Sequence, residues 1–105
     1  MSTTTLAGRR ALVTGGSRGI GAEIVRRLTA DGAAVAFTYS SSATYAEKLV
    51  AELSANGATV VAIQADAADA AQTATAVDQA VAELGGLDVL VNNAAIATLA
   101  PIDEF

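Results

Sequence analysis

The chain has 105 residues, of which 52% are hydrophobic and 16% are charged, and it contains neither cysteine nor histidine. This length suits one domain with one core, and the apolar content argues against an intrinsically disordered chain. The missing cysteine and histidine exclude disulfides, thiolate or imidazole metal sites and a Ser-His-Asp hydrolase, so no metal is expected. The sequence shows no signal peptide and no apolar run of membrane-spanning length, which predicts a cytoplasmic protein without a membrane partner.

Charge is distributed unevenly along the chain. All six basic residues lie within residues 1–48, whereas residues 49–105 carry eight acidic residues and no basic one. A chain with a net charge of −5 is a poor general binder of nucleic acid, so no nucleic-acid partner is expected. Alanine supplies 26 residues, which favours helices that lie close to a sheet.

The first predicted elements surround a glycine-rich turn. A short buried strand, Ala11–Thr14, leads into the turn Gly15–Gly21 and then into a helix, Ile20–Ala30, with one apolar face formed by Ile20, Ile24 and Leu28. Such a turn lets backbone N–H groups approach a phosphate, and the helix N-terminus adds a favourable dipole. The spacing Gly15-x-x-x-Gly19-x-Gly21 differs from G-x-G-x-x-G, and Ala22 stands where a P-loop has lysine. We interpret the segment as a dinucleotide-binding turn rather than one that only permits tight packing.

The second predicted strand, Ala34–Tyr39, ends in a run of hydroxyl side chains formed by Thr38, Tyr39, Ser40, Ser41 and Ser42. In NAD-binding sheets a carboxylate usually stands there to bind the ribose 2′-OH, and this segment has none. Hydroxyls and an arginine of the turn, Arg18, would instead suit a 2′-phosphate, although Arg18 could also be a solvated side chain. The pattern therefore predicts NADP(H) over NAD(H). The following helix, Thr44–Ala55, is expected to face the core with Tyr45, Leu49 and Leu53.

The last predicted elements also end in polar residues. Asp66 follows the third strand, Thr59–Gln64, at the sheet edge where ligands bind, and it could equally be a helix cap or a turn residue. The third helix is expected to begin with a capping pair, Asp69 and Gln72, and to end at Leu84. Its expected core face is formed by Val77, Val81 and Leu84. After Gly85 and Gly86 comes the fourth strand, Leu87–Asn92. Asn92–Ala95 end this strand either as turn residues or as a lining for the cofactor ribose.

Apolar strands that alternate with helices are typical of a parallel sheet with both faces buried. Right-handed crossovers then give an α/β, Rossmann-like, doubly wound sheet. We predict one domain over residues 1–105, with four strands in the order 3-2-1-4 and three helices.

Three segments together resemble a known family. The sequence TGGSRGIG (residues 14–21), Asp66 and NNAA (residues 92–95), in this order and spacing, are similar to the N-terminal half of short-chain dehydrogenases/reductases of the 3-oxoacyl-acyl-carrier-protein reductase type. The resemblance covers essentially the whole chain and implies an NADP-dependent oxidoreductase. One departure is Ala95, where the family usually has glycine, and its methyl group would crowd the cofactor slightly.

The resemblance also implies which residues bind the cofactor. Around the pyrophosphate and the neighbouring ribose it places Gly15, Ser17, Gly19, Ile20 and Gly21. At the 2′-phosphate it places Arg18 with Ser40 or Ser41. Tyr39, which directly precedes these serines, is predicted to bind the cofactor as well. At the adenine and along the rest of the cofactor it places Asp66, Ala67, Asn93, Ala94 and Ala95.

The family's reaction uses a Tyr-x-x-x-Lys pair and an upstream serine in the second half of its fold, where the tyrosine passes a proton to or from the carbonyl oxygen. These 105 residues contain no such pair. Tyr39 has no lysine four residues on, and Tyr45 and Lys48 are three apart, so we interpret Tyr45 as a core residue and Lys48 as a solvated one. No catalytic residue is predicted, and the chain alone is expected to be inactive.

Two other hypotheses remain open at this point. The chain could be a fold fragment, natural or engineered, whose main property is self-association, because Leu87–Asn92 would form an exposed apolar edge. A homo-oligomer through this strand or through the tail, residues 94–105, is therefore expected. The chain could also be an active minimal oxidoreductase, which would require a proton donor that the sequence does not reveal.

Overall fold

The computed structural model describes residues 6–15, 19–41, 43–66 and 69–92. The described residues form four strands and three helices: β1 (Arg10–Val13), α1 (Gly19–Ala30), β2 (Ala34–Tyr39), α2 (Ala43–Ala55), β3 (Val60–Gln64), α3 (Ala70–Leu84) and β4 (Val89–Val91). All pairings are parallel and the strand order is β3-β2-β1-β4, which confirms the predicted topology. The fourth strand is shorter than predicted. Two further hydrogen bonds flank its pairing with β1: Asp88 N–H, just before β4, donates to the Arg10 carbonyl, and Thr14 N–H, just after β1, donates to the Val91 carbonyl.

Helices cover both faces of the sheet. One core cluster joins alternate residues of β1 and β2, among them Val13 and Phe37, to residues of α1 and α2. The other cluster joins Leu12, Ala36 and Ile63 to Ala76 and Ala80 of α3. Successive residues of a strand point to opposite faces, so the near-continuous apolar runs of β1 and β2 fill two cores at once.

The buried faces of α1 and α3 differ from the predicted ones. In α1 the buried residues are Gly21, Ala22 and Val25, whereas the expected Ile20 is 75% exposed and Ile24 and Leu28 are only partly buried. Small side chains let the helix backbone lie close to the sheet, and the larger side chains then flank the contact.

In α3, too, the buried face differs from the predicted one, since Ala76 and Ala80 are buried and Val81 is 42% exposed. Val77 and Leu84 pack at the margin of the core. The prediction of Val81 as a core residue was wrong, because the face of this helix that approaches the sheet is built from alanine.

The face predicted for α2 was only partly right. Leu49 and Leu53 are buried as expected, together with Ala46, but Tyr45 is 54% exposed. Tyr45 instead lines an open groove beside α1, with Ile20, Ile24 and Leu28. The interpretation of Tyr45 as a core residue was therefore wrong, whereas Lys48 is exposed as expected.

The predicted capping pair begins α3. The Asp69 carboxylate accepts hydrogen bonds from the N–H groups of Ala71 and Gln72, and the Gln72 side-chain amide donates to it at 3.3 Å. Gly85 ends the helix in the left-handed conformation, with a φ of 82°, and donates its N–H to the Val81 carbonyl. Among the described residues, no helix has the length and apolar character needed to cross a membrane.

A clasp between Arg10 and Asp88 ties β4 to the start of β1. The Asp88 carboxylate accepts from the Arg10 backbone N–H at 2.9 Å and from Arg10 Nε at 3.2 Å, while Arg10 Nη1 donates to the Gly85 carbonyl at 2.9 Å. A Cβ atom at Gly86, whose φ is 154°, would lie 2.6 Å from Arg10 Nη1. Glycine at this position therefore leaves the guanidinium the space that the clasp needs.

The clasp gives stability a predictable pH dependence. The hydrogen bonds from the Arg10 backbone and side chain lower the pKa of Asp88 from its ordinary value of 3.8. A lowered carboxylate pKa stabilises the fold above the unfolded-state pKa, and this contribution is lost as the pH falls through the folded-state pKa. When the pH is lowered from about 6 to about 3, we therefore expect the free energy of unfolding to fall less in Asp88→Asn than in the unchanged chain.

Urea unfolding at a series of pH values measures this difference. Asp78→Asn removes an exposed carboxylate on α3 and serves as the control for the loss of one negative charge. Parallel pH profiles for Asp88→Asn and the unchanged chain would contradict the role assigned to the clasp.

Candidate functional site

Polar residues and glycines follow all four strands at one edge of the sheet. Gly15 comes after β1, Ser40 and Ser41 after β2, Asp66 after β3, and Asn92 after β4. Because the strands are parallel, these positions lie at the same edge, where the N-terminus of α1 also begins. Six of the predicted site residues lie outside the described ones: Ser17, Arg18, Ala67, Asn93, Ala94 and Ala95.

The described ends of the glycine-rich turn have the backbone conformation that glycine favours. Gly15 and Gly19 have φ values of 67° and 59°. A Cβ atom at Gly19 would meet no described atom within 4 Å, so the backbone conformation, and not crowding by the described residues, favours glycine there. Gly21 is buried, whereas Ile20 beside it, at the start of α1, is 75% exposed.

Two buried threonines connect the turn to the neighbouring strands. Thr38, 2% exposed near the end of β2, accepts a hydrogen bond from the Gly15 N–H at 2.9 Å. The Thr14 hydroxyl donates to the Asn92 side-chain oxygen at 3.2 Å, with the Val91 carbonyl at 3.4 Å as a second acceptor. Neither role was predicted, and the available signal was a hydroxyl at the end of an otherwise apolar strand.

The end of β2 is open to solvent on the side of the predicted 2′-phosphate. Ser40 and Ser41 are exposed, and the Ser40 carbonyl accepts a hydrogen bond from the Gln64 side chain at 3.1 Å. Tyr39 is partly buried and packs against the core cluster shared by α1 and α2. Its carbonyl accepts from the Ala65 N–H at 2.9 Å, which extends the β2–β3 pairing toward the edge.

Asp66 is exposed, and its backbone is held by the start of α3. Its N–H donates to the Gln72 side-chain oxygen at 2.8 Å, and its carbonyl accepts from the Asp69 N–H at 2.9 Å. Asp69, and not Asp66, provides the cap of α3. The alternative interpretation of Asp66 as a helix cap was therefore wrong, and its carboxylate stands at the same edge as the glycine-rich turn.

Comparison with known proteins decides the family. A family profile described as short chain dehydrogenase matches residues 9–105. This chain belongs to the short-chain dehydrogenase family. The resemblance carried by the glycine-rich turn, Asp66 and the Asn-Asn segment is thereby confirmed.

Proteins similar to this chain include a reductase and two proteins solved in complex with a cofactor. The 3-oxoacyl-(acyl-carrier-protein) reductase FabG of Staphylococcus aureus is 47% identical over 84% of this chain. A blue fluorescent protein from a metagenomic library, solved in complex with NADPH, is 57% identical over 96% of this chain, with a TM-score of 0.84. A short chain dehydrogenase from Burkholderia cenocepacia, solved in complex with NADP, is 57% identical over 84% of it, with a TM-score of 0.81.

The chain spans between 36% and 42% of the length of these three proteins. The four strands and the edge that carries the glycine-rich turn therefore correspond to less than half of the length of each of these three proteins. The sequence contains only two tyrosines, Tyr39 and Tyr45, and neither has a lysine four residues later.

Proposed function

We propose that these 105 residues form the NADP(H)-binding part of a short-chain dehydrogenase/reductase that acts on carbonyl compounds of the 3-oxoacyl type. The observation that carries the proposal is the convergence of four strand ends and the N-terminus of α1 at one edge, with a glycine-rich turn at its centre. Partial positive charge at a helix N-terminus favours a pyrophosphate, and the positive φ values of Gly15 and Gly19 turn the backbone around it.

The neighbouring residues have distinct proposed roles along the cofactor. Gly15, Ser17, Gly19, Ile20 and Gly21 would surround the pyrophosphate and the adjoining ribose. Asp66 and Ala67 would contact the adenine beyond β3. Asn93, Ala94 and Ala95 would follow β4 along the remainder of the cofactor, while the part-buried Thr14–Asn92 hydrogen bond holds the end of β4 beside the first residues of the turn. When bound, the nicotinamide cofactor supplies or accepts a hydride.

The end of β2 favours NADP(H) over NAD(H). It offers two exposed serine hydroxyls, Ser40 and Ser41, next to Tyr39, and the segment contains no carboxylate that would repel a 2′-phosphate. Arg18 would supply the opposite charge, which gives the strong hydrogen bonds of an arginine–phosphate pair. The two complexes with NADPH and NADP among similar structures support the same preference.

We further propose that these residues alone do not reduce a carbonyl compound. Proton transfer to the carbonyl oxygen requires a positioned acid, and the family's tyrosine and lysine pair is not among these 105 residues. Tyr45, the more exposed tyrosine, lies in the groove beside α1 and has Lys48 only three positions away.

Calorimetric titration with NADPH and NADH tests the cofactor proposal. We expect tighter binding of NADPH, by about tenfold, since a charged contact of this kind is worth roughly 1.4 kcal/mol. Arg18→Ala should remove this preference while leaving NADH affinity nearly unchanged. Arg27→Ala, which removes an exposed arginine of α1 that pairs with Asp31 just after the helix, is the matched control and should keep the preference.

Two outcomes would contradict the proposal. Equal affinity of the unchanged chain for the two cofactors would remove the roles given to Arg18 and the serines. Absence of binding to either cofactor would remove cofactor binding itself from the properties of these residues.

Self-association is a second proposed property, and β4 carries it. Val89 and Leu90 are 39% and 52% exposed, and within the described residues β4 pairs only with β1. An apolar edge strand with free backbone groups is a template for pairing with another chain. We propose a homo-oligomer in which β4 pairs with its equivalent across a two-fold axis, or in which the tail, residues 94–105, is exchanged between chains.

A further inference from the structure

The hydroxyl of Thr38 is buried where the chain leaves β1 for the glycine-rich turn. Thr38 is the fifth residue of β2 and is 2% exposed. Its Oγ1 accepts a hydrogen bond from the Gly15 N–H at 2.9 Å, across 23 positions of sequence. The contact therefore joins the end of β2 to the first glycine of the turn that follows β1.

We propose that Thr38 is a positioning residue that sets the start of the pyrophosphate-binding turn. The inference rests on the proposed binding of NADP(H) at this edge, and it adds a determinant of affinity outside the glycine-rich sequence. Thr38 would act through Gly15, without touching the cofactor.

The geometry of the sheet explains why a side chain performs this task. Alternation along β1 places the Gly15 N–H on the side of β1 that faces β2, the same side on which the Arg9 carbonyl accepts from the Ala34 N–H. The positive φ of Gly15 turns the chain away from the regular ladder at this point. In a regular ladder the Gly15 N–H would donate to a main-chain carbonyl of β2. Here it donates to the Thr38 hydroxyl, which keeps the two strands connected.

The same contact links two parts of the proposed site. Ser40 and Ser41, which would meet the 2′-phosphate, lie two and three residues after Thr38, while Gly15 begins the pyrophosphate turn. Because the contact lies on the pyrophosphate side, its loss should weaken NADPH and NADH equally. Loss of a contact to the 2′-phosphate would weaken NADPH alone.

Two substitutions separate the hydroxyl from the shape of the side chain. Thr38→Val keeps the volume and the β-branch but has no acceptor, whereas Thr38→Ser keeps the hydroxyl. Thr29→Val is the control, since it removes a threonine hydroxyl that donates within α1, to the carbonyls of Val25 and Arg26.

The first measurement is hydrogen exchange of the Gly15 amide by NMR in the cofactor-free chain, and the second is the dissociation constant for each cofactor. In Thr38→Val we expect exchange at Gly15 to be about tenfold faster and both dissociation constants to rise about tenfold, as for one lost hydrogen bond. Thr38→Ser and Thr29→Val should stay close to the unchanged chain in both measurements.

Three results would overturn the inference. They are unchanged Gly15 exchange in Thr38→Val, equal effects of the valine and serine variants, and a loss of affinity confined to NADPH. If the unchanged chain binds neither cofactor, the proposed function fails, and the exchange measurement still decides whether Thr38 positions the turn.

Discussion

Replacing Gly19 with tryptophan is expected to abolish the binding of NADPH to this chain. Gly19 is the first residue of α1 and has a φ of 59°, in the left-handed region that side chains disfavour by about 1–2 kcal/mol. The space around its Cβ position is free of described atoms, so an indole there would occupy the volume in front of the helix N-terminus. We expect affinity to fall at least about 100-fold, the equivalent of roughly 2.7 kcal/mol.

A second glycine provides a matched control for this substitution. Gly8 has a φ of 83°, also with no described atom within 4 Å of its Cβ position, and it precedes β1 at the opposite edge of the sheet. Gly8→Trp should carry a similar backbone penalty and leave NADPH affinity unchanged. Urea unfolding of both variants shows whether they remain folded. Binding by Gly19→Trp at the affinity of the unchanged chain would place the cofactor elsewhere.

The same variant tests the proposed lack of catalysis. NADPH oxidation with a panel of ketones is expected to show no turnover by the unchanged chain. Reproducible turnover that disappears in Gly19→Trp would establish the chain as an enzyme by itself. It would also require a proton donor other than the tyrosine and lysine pair of the family.

Leu90→Lys is expected to convert an oligomer of this chain into a monomer. Leu90 is the central residue of β4 and half of its surface is exposed. In a two-fold interface the substitution acts on both copies, and burial of a leucine side chain contributes roughly 1.5–3 kcal/mol per copy. The dissociation constant of a dimer should therefore rise by at least about 100-fold.

Analytical ultracentrifugation at micromolar concentration measures this change. Ala82→Lys introduces the same charge on an exposed position of α3 and should leave association unaffected. Ile20→Lys tests the other exposed apolar surface, the groove between α1 and Tyr45. Dissociation by Ile20→Lys and not by Leu90→Lys would assign the interface to that groove. A monomeric unchanged chain would contradict self-association altogether.

Local patterns in the sequence were sufficient for the architecture of this protein. The apolar runs before Gly15, Ser40, Asp66 and Asn92 are strands, and the glycines after each helix end it, as predicted. Four parallel strands with short connections allow few right-handed arrangements, which is why the strand order could be predicted as well. The parallel topology in turn brought the four strand ends to one edge.

The tertiary structure decided which side of each helix meets the sheet and which side chains hold the edge together. Large apolar residues suggested Ile20, Tyr45 and Val81 as core residues, but these are exposed. The helix residues buried against the core include small ones such as Ala22, Ala46 and Ala80. Periodicity measures the apolar character of a face, whereas packing density selects the face that permits close contact.

Long-range polar contacts were beyond sequence reasoning for a related reason. Thr38 with Gly15, Thr14 with Asn92, and Arg10 with Asp88 are 23 to 78 positions apart. Threonine and arginine carry no local signal of such partners, since their hydrogen bonds depend on the register between strands. Local periodicity thus predicts elements and their order, while the contacts that shape the site arise only when paired strands bring distant residues within about 3 Å.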